Sequence, residues 1–520
     1  MMRRLLLAIL ISMLPTAAQA KWMEASSQHF LIYADDQQQN LQEFSEQLER
    51  FHAAVTVLLG VPNMTPSPSN RVTIYILKND SQVRKLAGDG SKFLYAFYIP
   101  RAGQSLAIVP HVNATRGELP FSMIALLHEY THHITFMTST AALPVWVVEG
   151  SAEFFAAAKF DADGAVRLGR PASHRVGELR YANEVALKDL FNPNMERRAK
   201  QRDYDSFYGR SWLLYHYLTF SKERQGQLRA YLDQIDKGIE PLDAAQKSFG
   251  DFKKLDDDLD TYFNKKALMT LRIVPADLKI GPVAIREVSA GEAAIMPIRI
   301  RSRRGVDREQ ALALLPEARK IAADFPADPV ILSALAEAEH DAGNYDGAIK
   351  AADAALAIDP KNVDAYVQKG YALFAKARKA DDKAAAYRAA RLPFVELNKI
   401  ENDHPLPLFF YYLSFSEQGL KPNAAALAGL RRAVELAPFD PELRGTLALQ
   451  AIRDGDKAEA IWSLKPIAYN PHGGKSAEMA KTLIERLQKG EKIEDLVKDG
   501  KLQLGDETET PSDPKAQPKK

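Results

Sequence analysis

The last third of the chain repeats itself, and that confines it to one architecture. From about residue 307 the sequence is alanine-rich and recurs every ~34 residues, the length of a helix-turn-helix unit. One unit runs from Pro329 to Pro360. Leu332, Leu335 and Ala336 fall on its first helix, Gly343 at its turn, and Ala348, Ala352 and Ala355 on its second. Alanines at this spacing let two helices approach closely, and Pro360 stops the second because it lacks the amide N–H. Another unit ends at Ala437-Pro438, with Phe410, Leu413, Ala426, Leu430 and Ala433 in matching positions. Partial units surround Tyr366-Gly370, Leu447-Ala448 and Asn470-Pro471. Units of this kind bury their apolar faces only by stacking. Residues 307–490 are therefore expected to form an all-α solenoid. Residues 505–520 are polar, charged and proline-containing, and are expected to be disordered.

The chain has 520 residues, more than one hydrophobic core accommodates, so the repeats must follow another domain. Lysine plus arginine (68) nearly equals aspartate plus glutamate (67), so the basic excess that phosphate neutralisation requires is missing and nucleic acid is not an expected partner. The start reads as an export signal. Met1-Met2-Arg3-Arg4 is basic, Leu5 to Leu14 is apolar but too short to span a bilayer, and Ala18-Gln19-Ala20 fits a small-x-small cleavage site. Residues 1–20 are thus expected to be a signal peptide cleaved after Ala20, with a periplasmic or secreted product and no membrane span in the mature chain. Cysteine is absent, which excludes disulfides, thiolate metal ligands and a cysteine nucleophile.

Residues 21–270 read as one mixed domain. Phe30 to Tyr33 and Val72 to Leu77 are rich in β-formers, and the stretch between them carries Phe44, Leu48, Phe51, Val55 and Leu58 at helical spacing. Phe93 to Ile99 and Ser105 to Val109 read as further strands, and residues 117–270 as mostly helical. Residues 271–306 read as a β-like connector, because Val288 to Ile300 partly alternates and is broken by Gly291 and Pro297.

The chemistry concentrates in Leu126-Leu127-His128-Glu129-Tyr130-Thr131-His132. On a helix, positions i and i+4 share a face, so both imidazoles of a His-Glu-x-x-His motif can reach one ion. Glu129 sits beside them, placed to act as base on an attacking water. Ile124, Leu127, Ile134 and Phe136 suit a buried helix. A hydrolytic zinc site uses three protein ligands. The segment Trp146-Val147-Val148-Glu149-Gly150-Ser151-Ala152-Glu153 supplies a candidate third in Glu149, a carboxylate costly to bury in such apolar company without a partner. Glu153, one turn further on the same face, can accept the outer N–H of a ligating histidine.

His128-Glu129-x-x-His132 followed by Trp146-x-x-Glu149-Gly150-x-Ala152-Glu153 resembles the gluzincin metallopeptidases, in particular the bacterial peptidase-MA-like group. The likeness is tight over residues 123–156 and loose over about 25–270. It implies an α+β zincin-like catalytic domain, with a mixed N-terminal sheet and a helical C-terminal part. It also implies zinc (Zn2+) held by His128, His132 and Glu149, with Glu129 as general base. The spacing from His132 to Glu149 is slightly shorter than in the aminopeptidases, and their gly-x-met-glu-asn signature is not evident, so N-terminal-amine specificity is not implied. Phe207-Tyr208-Gly209-Arg210 is similar to the tyrosine-bearing helix start that follows the zinc site in such enzymes. It suggests Tyr208, with Arg210 second and Tyr204 and Tyr215 competing, as the hydrogen-bond donor to an oxyanion. The strand from Ser105 to Val109 corresponds to an edge strand that pairs with an extended substrate. The array over roughly 307–475 resembles the tetratricopeptide repeat family, although several signature aromatics are missing. The expected protein is a zinc peptidase of the cell envelope, acting on a peptide or protein substrate and carrying repeats that can hold a protein partner. The alternative is a catalytically silent envelope scaffold that binds proteins through the repeats.

Overall fold

The computed structural model of the protein describes residues 22–88, 96–111, 117–139, 141–192 and 204–491. The expected signal peptide (1–20), the expected disordered tail (505–520) and part of the stretch Phe93 to Ile99 lie outside the described residues.

The strands β1 (Trp22–Ser26), β2 (Phe30–Asp35), β3 (Val72–Leu77), β4 (Phe97–Ile99), β5 (Leu106–Pro110) and β9 (Ala284–Glu287) form one sheet in the order β4-β5-β3-β2-β1-β9. β2, β3 and β5 run parallel, and β1, β4 and β9 pair antiparallel to their neighbours. Helix α1 (Gln38–Leu59) makes the crossover from β2 to β3, and α2 (Asp80–Ala87) follows β3. α1 buries Phe44, Leu48, Phe51 and Val55 in a core shared with Phe30, Ile32, Ile74 and Val109 of the sheet. Leu126, Leu127 and Tyr130 of α3 (Phe121–Thr138) enter the same core, which fixes this helix against the sheet. Every residue of the next helix, α4 (Val145–Ala156), is buried. A smaller antiparallel sheet joins β6 (Lys159–Phe160), β7 (Val166–Leu168) and β8 (Leu271–Ile273).

Two expectations are corrected. Residues 271–306 are not a β-like connector. They give β8 to the small sheet and β9 to the edge of the large one, and then form a helix, Ala290–Arg304. A capping box starts that helix. The Ser289 hydroxyl accepts from the Glu292 amide at 3.0 Å, and the Ser289 amide donates to the Glu292 carboxylate at 2.8 Å. Helical periodicity is blurred because the helix is buried on two sides. Met296 and Ile300 pack on Tyr33, Tyr75 and Ile108 of the sheet, while Ile295 and Ile298 pack on Leu314 and Ile331 of the repeats. Gly291 and Pro297 sit inside it rather than ending it. The second correction concerns the edge strand. β5 is hydrogen-bonded to β3 on one side and β4 on the other, so it has no free edge for a substrate. β4, not β5, ends the described sheet on that side.

The repeats are helical throughout. The unit from Pro329 consists of helices Pro329–Asp341 and Tyr345–Ile358, with Ala348, Ala352 and Ala355 fully buried between helices. Gly343 turns the chain with φ +66°, and a Cβ there would collide with the Arg308 guanidinium. Further pairs follow: Val363–Ala377 with Lys383–Ile400, Pro405–Ser416 with Ala424–Leu436, and Pro441–Asp454 with Lys457–Ala468, before a last helix Gly474–Gln488. Asp or Asn side chains cap most of these helices, as at Asp328, Asn344, Asn362, Asp382, Asn423, Asp440 and Asp456.

The array packs on the first domain instead of trailing from it. Phe136 and Met137 at the end of α3, and Ala102 before β5, join the aromatic cluster of Phe374, Phe394, Phe409 and Phe410. Asp440 accepts from the Ala102 amide at 2.7 Å, Asp364 pairs with Arg303 at 2.6 Å, and Glu401 accepts from the Ser69 hydroxyl at 2.8 Å. Among the described residues no helix is long and apolar enough to cross a membrane.

Candidate metal centre

α3 is apolar almost all round, burying Met123, Leu126, Leu127, Tyr130 and Ile134, so its two motif histidines are carried into the interior. Both imidazoles lie on the side facing α4. His128 Nε2 is 3.2 Å and His132 Nε2 3.6 Å from the same oxygen of Glu149, and the two nitrogens are 3.1 Å apart. Glu149 is fully buried, and among the described residues no hydrogen-bond donor is aligned on either of its oxygens. Burial opposes its charge, yet the imidazoles of His132, His128 and His472 hold its pKa well below the usual carboxylate range.

Glu153, one turn along α4, reaches the far side of His128, with Oε1 3.1 Å from Nδ1. Nδ1–H therefore points at a carboxylate, and the lone pair is left on Nε2, facing Glu149 and His132. Burial would lower the pKa of His128, but Glu149 and Glu153 outweigh it and raise it to about 10. A buried imidazole between two carboxylates favours positive charge. Where that charge is not a proton on Nε2, a cation between the two nitrogens and the Glu149 oxygen supplies it.

The local sequence had signalled neither of Glu153's other partners. His174 Nε2 lies 2.6 Å from one of its oxygens, and Arg175 Nη2 lies 2.5 Å from the other. Both residues come from the turn before helix Val176–Tyr181. Arg175 also stacks over the Tyr208 ring at 4.9 Å, tying the carboxylate to the helix Phe207–Phe220. Tyr208 lies beside His128, with ring centroids 6.5 Å apart. The charge of Glu149, and then burial, push its hydroxyl pKa up, so the phenol keeps its proton and remains a donor. Arg210 turns away into ion pairs with Glu184 and Asp256, Tyr204 is exposed, and Tyr215 packs on Phe154. Of the candidates on this helix, only Tyr208 faces the histidines.

Glu129 is half-buried, and its carboxylate lies within 4.8 Å of a His132 ring nitrogen. His133 points the other way. Its Nδ1 accepts from the Tyr98 hydroxyl at 2.6 Å, and burial pushes its pKa down to about 3, so it is a neutral core histidine. The third residue of the Glu129–His132 group is His472, from the turn before the last helix of the repeats. No local pattern in the sequence marks it.

The donor set fits a divalent cation. His128, His132 and Glu149 bring two imidazole nitrogens and one carboxylate oxygen within 4.8 Å of one another, and the buried Glu149 carboxylate faces imidazoles without an aligned hydrogen bond among the described residues. Close packing holds α4 in register. At Gly150, next to Glu149, a Cβ would fall on the Ser211 carbonyl and lie 3.2 Å from the Tyr215 Cβ. Gly150→Ala is therefore expected to lower the unfolding free energy by about 1–3 kcal/mol. A denaturant titration matching wild type would contradict that packing.

Residues 122–243, which include both histidines, Glu149, Glu153 and Tyr208, match a family described as a protein of unknown function (DUF1570). Residues 329–372 match the tetratricopeptide repeat family. No curated protein matches the chain. Solved structures similar to the repeat portion include TTC0263, a thermophilic TPR protein of Thermus thermophilus. It is 19% identical with a TM-score of 0.30, covering 35% of this chain and 91% of its own. MamA (41-end) of Desulfovibrio magneticus RS-1 is 17% identical with a TM-score of 0.27, covering 39% and 98%. The family match places a tetratricopeptide repeat behind a mixed α/β domain, which holds a cluster of side chains that could bind a metal ion.

Proposed function

We propose that the protein is a zinc-dependent peptidase of the gluzincin type, working in the cell envelope on a peptide or protein substrate. The observation that carries the reading is the convergence of His128, His132 and the fully buried carboxylate of Glu149 on one point, with Glu129 within 4.8 Å of a His132 ring nitrogen. The two histidines and Glu149 would hold the ion. When bound, zinc polarises a carbonyl and makes water acidic enough to attack near neutral pH.

The chain's own residues do the rest. Glu129 takes a proton from the attacking water as its oxygen bonds to the scissile carbonyl carbon, and returns it to the departing amine nitrogen as the C–N bond breaks. The products are a carboxylate and an amine, with one water consumed. The Tyr208 O–H, kept protonated beside Glu149, donates to the oxygen on which negative charge develops. Glu153, clamped by His174 and Arg175, orients His128. The tetratricopeptide array supports a second, non-catalytic role, since a stacked-helix surface suits a protein partner.

Elemental analysis of the purified chain and a cleavage profile on a proteome-derived peptide library, each with and without chelator, test the reading. About one zinc per chain is expected, with cleavage lost on chelation and restored by zinc. A zinc-free chain, or cleavage indifferent to chelator, would leave the scaffold alternative.

A further inference from the structure

The repeat domain reaches into the metal centre. The turn Tyr469-Asn470-Pro471-His472-Gly473 joins helices Lys457–Ala468 and Gly474–Gln488. His472 Nε2 stands 3.5 Å from Oε1 of Glu149, and its ring meets that of His132 edge to face, with centroids 5.5 Å apart. Its nitrogen also lies within 4.8 Å of both a Glu129 oxygen and a His132 ring nitrogen. That is the space between base and metal ligands that an attacking water needs.

The turn is built to stay there. The Asn470 side chain accepts from the His472 amide at 2.9 Å, and the Gly473 amide donates to the Asn470 carbonyl at 3.1 Å. Tyr469 packs on the catalytic-domain core, and Lys465, on the preceding helix, pairs with Asp236 of that domain at 2.8 Å. The outer part of the ring is open, for the His472 side chain is 53% exposed. It can swing away without exposing a core. Lys465–Asp236 is a surface pair, whose strength is small and salt-dependent.

We propose that His472 is a fourth protein ligand at the metal centre, delivered by the repeat domain into the position that water and substrate must occupy. The structure is then the closed form of the enzyme. Whatever moves the last repeat helices, such as a protein bound on the array, opens it by withdrawing one imidazole. A ligand shifts such an equilibrium only as far as it prefers one form, so activation measures the partner's preference for the open array. This inference rests on the proposed zinc site and adds its regulation.

The test uses the full mature chain loaded with cobalt(II), whose visible spectrum reports ligand number and type. His472→Ala replaces a half-exposed turn residue and leaves the packing of Tyr469 intact. Expected for the variant are a changed cobalt spectrum and metal extraction by chelator faster by about tenfold or more, the range seen when a supporting group is lost from a metal site. Imidazole added in solution should restore the wild-type spectrum, and zinc-loaded variant should cleave peptides faster than wild type. Superimposable spectra and extraction rates in wild type and His472→Ala would overturn the fourth-ligand assignment while leaving the peptidase reading intact. Failure of wild type to bind cobalt or zinc at all would overturn both.

Discussion

Glu129→Gln is expected to retain stoichiometric zinc and lose about three orders of magnitude in peptide turnover, within the range that positioned acid–base groups contribute. Glutamine keeps the shape and half-buried position of Glu129 but cannot accept the water proton at neutral pH. The proposed ligands, His128, His132 and Glu149, are untouched, so metal content separates loss of the base from loss of the site. The comparison calls for kcat on a peptide substrate, zinc by elemental analysis and a thermal melt. Turnover at the wild-type rate would remove Glu129 from the mechanism.

Glu149→Gln is expected to do the opposite: to fold, and to lose the metal. The carboxylate is fully buried, faces two imidazole nitrogens at 3.2 and 3.6 Å, and finds no aligned donor among the described residues. An amide preserves the volume but removes the charge that balances the ion, and its NH2 would point protons at nitrogens that need to offer lone pairs. Glu153→Gln provides the scale. It leaves the three proposed ligands in place and weakens the outer support of His128 together with the pairs to His174 and Arg175, a loss for which about 10–100-fold in affinity is typical, and Glu149→Gln should exceed that. Zinc titrations against a competing chelator give both constants. Equal affinities in the two variants, or undiminished zinc in Glu149→Gln, would mean that Glu149 is not a ligand and that the centre is organised differently.

Much of this could be read from the chain, because the signals were local. Apolar spacing marked α1, and the alternation of helix faces, turn glycine and terminal proline marked the unit from Pro329 to Pro360, which matches the tetratricopeptide repeat. The four-residue intervals His128–His132 and Glu149–Glu153 set each pair on one side of its helix, since α-helical geometry leaves no alternative. What lay beyond the sequence was contact between segments far apart in it. Val288 to Ile300 looked like a broken strand because packing against both sheet and repeats erased the one-sided periodicity of a helix. β5 was expected at an edge because the resemblance implied one there, and which neighbour the strand read at Phe93 to Ile99 would pair with was not legible until β4 lay beside β5. His174, Arg175 and His472 carry no motif at all. Only the folded chain brings two of them to Glu153 and the third to Glu149, because burial and charge balance are properties of a neighbourhood, and a neighbourhood is assembled by tertiary packing.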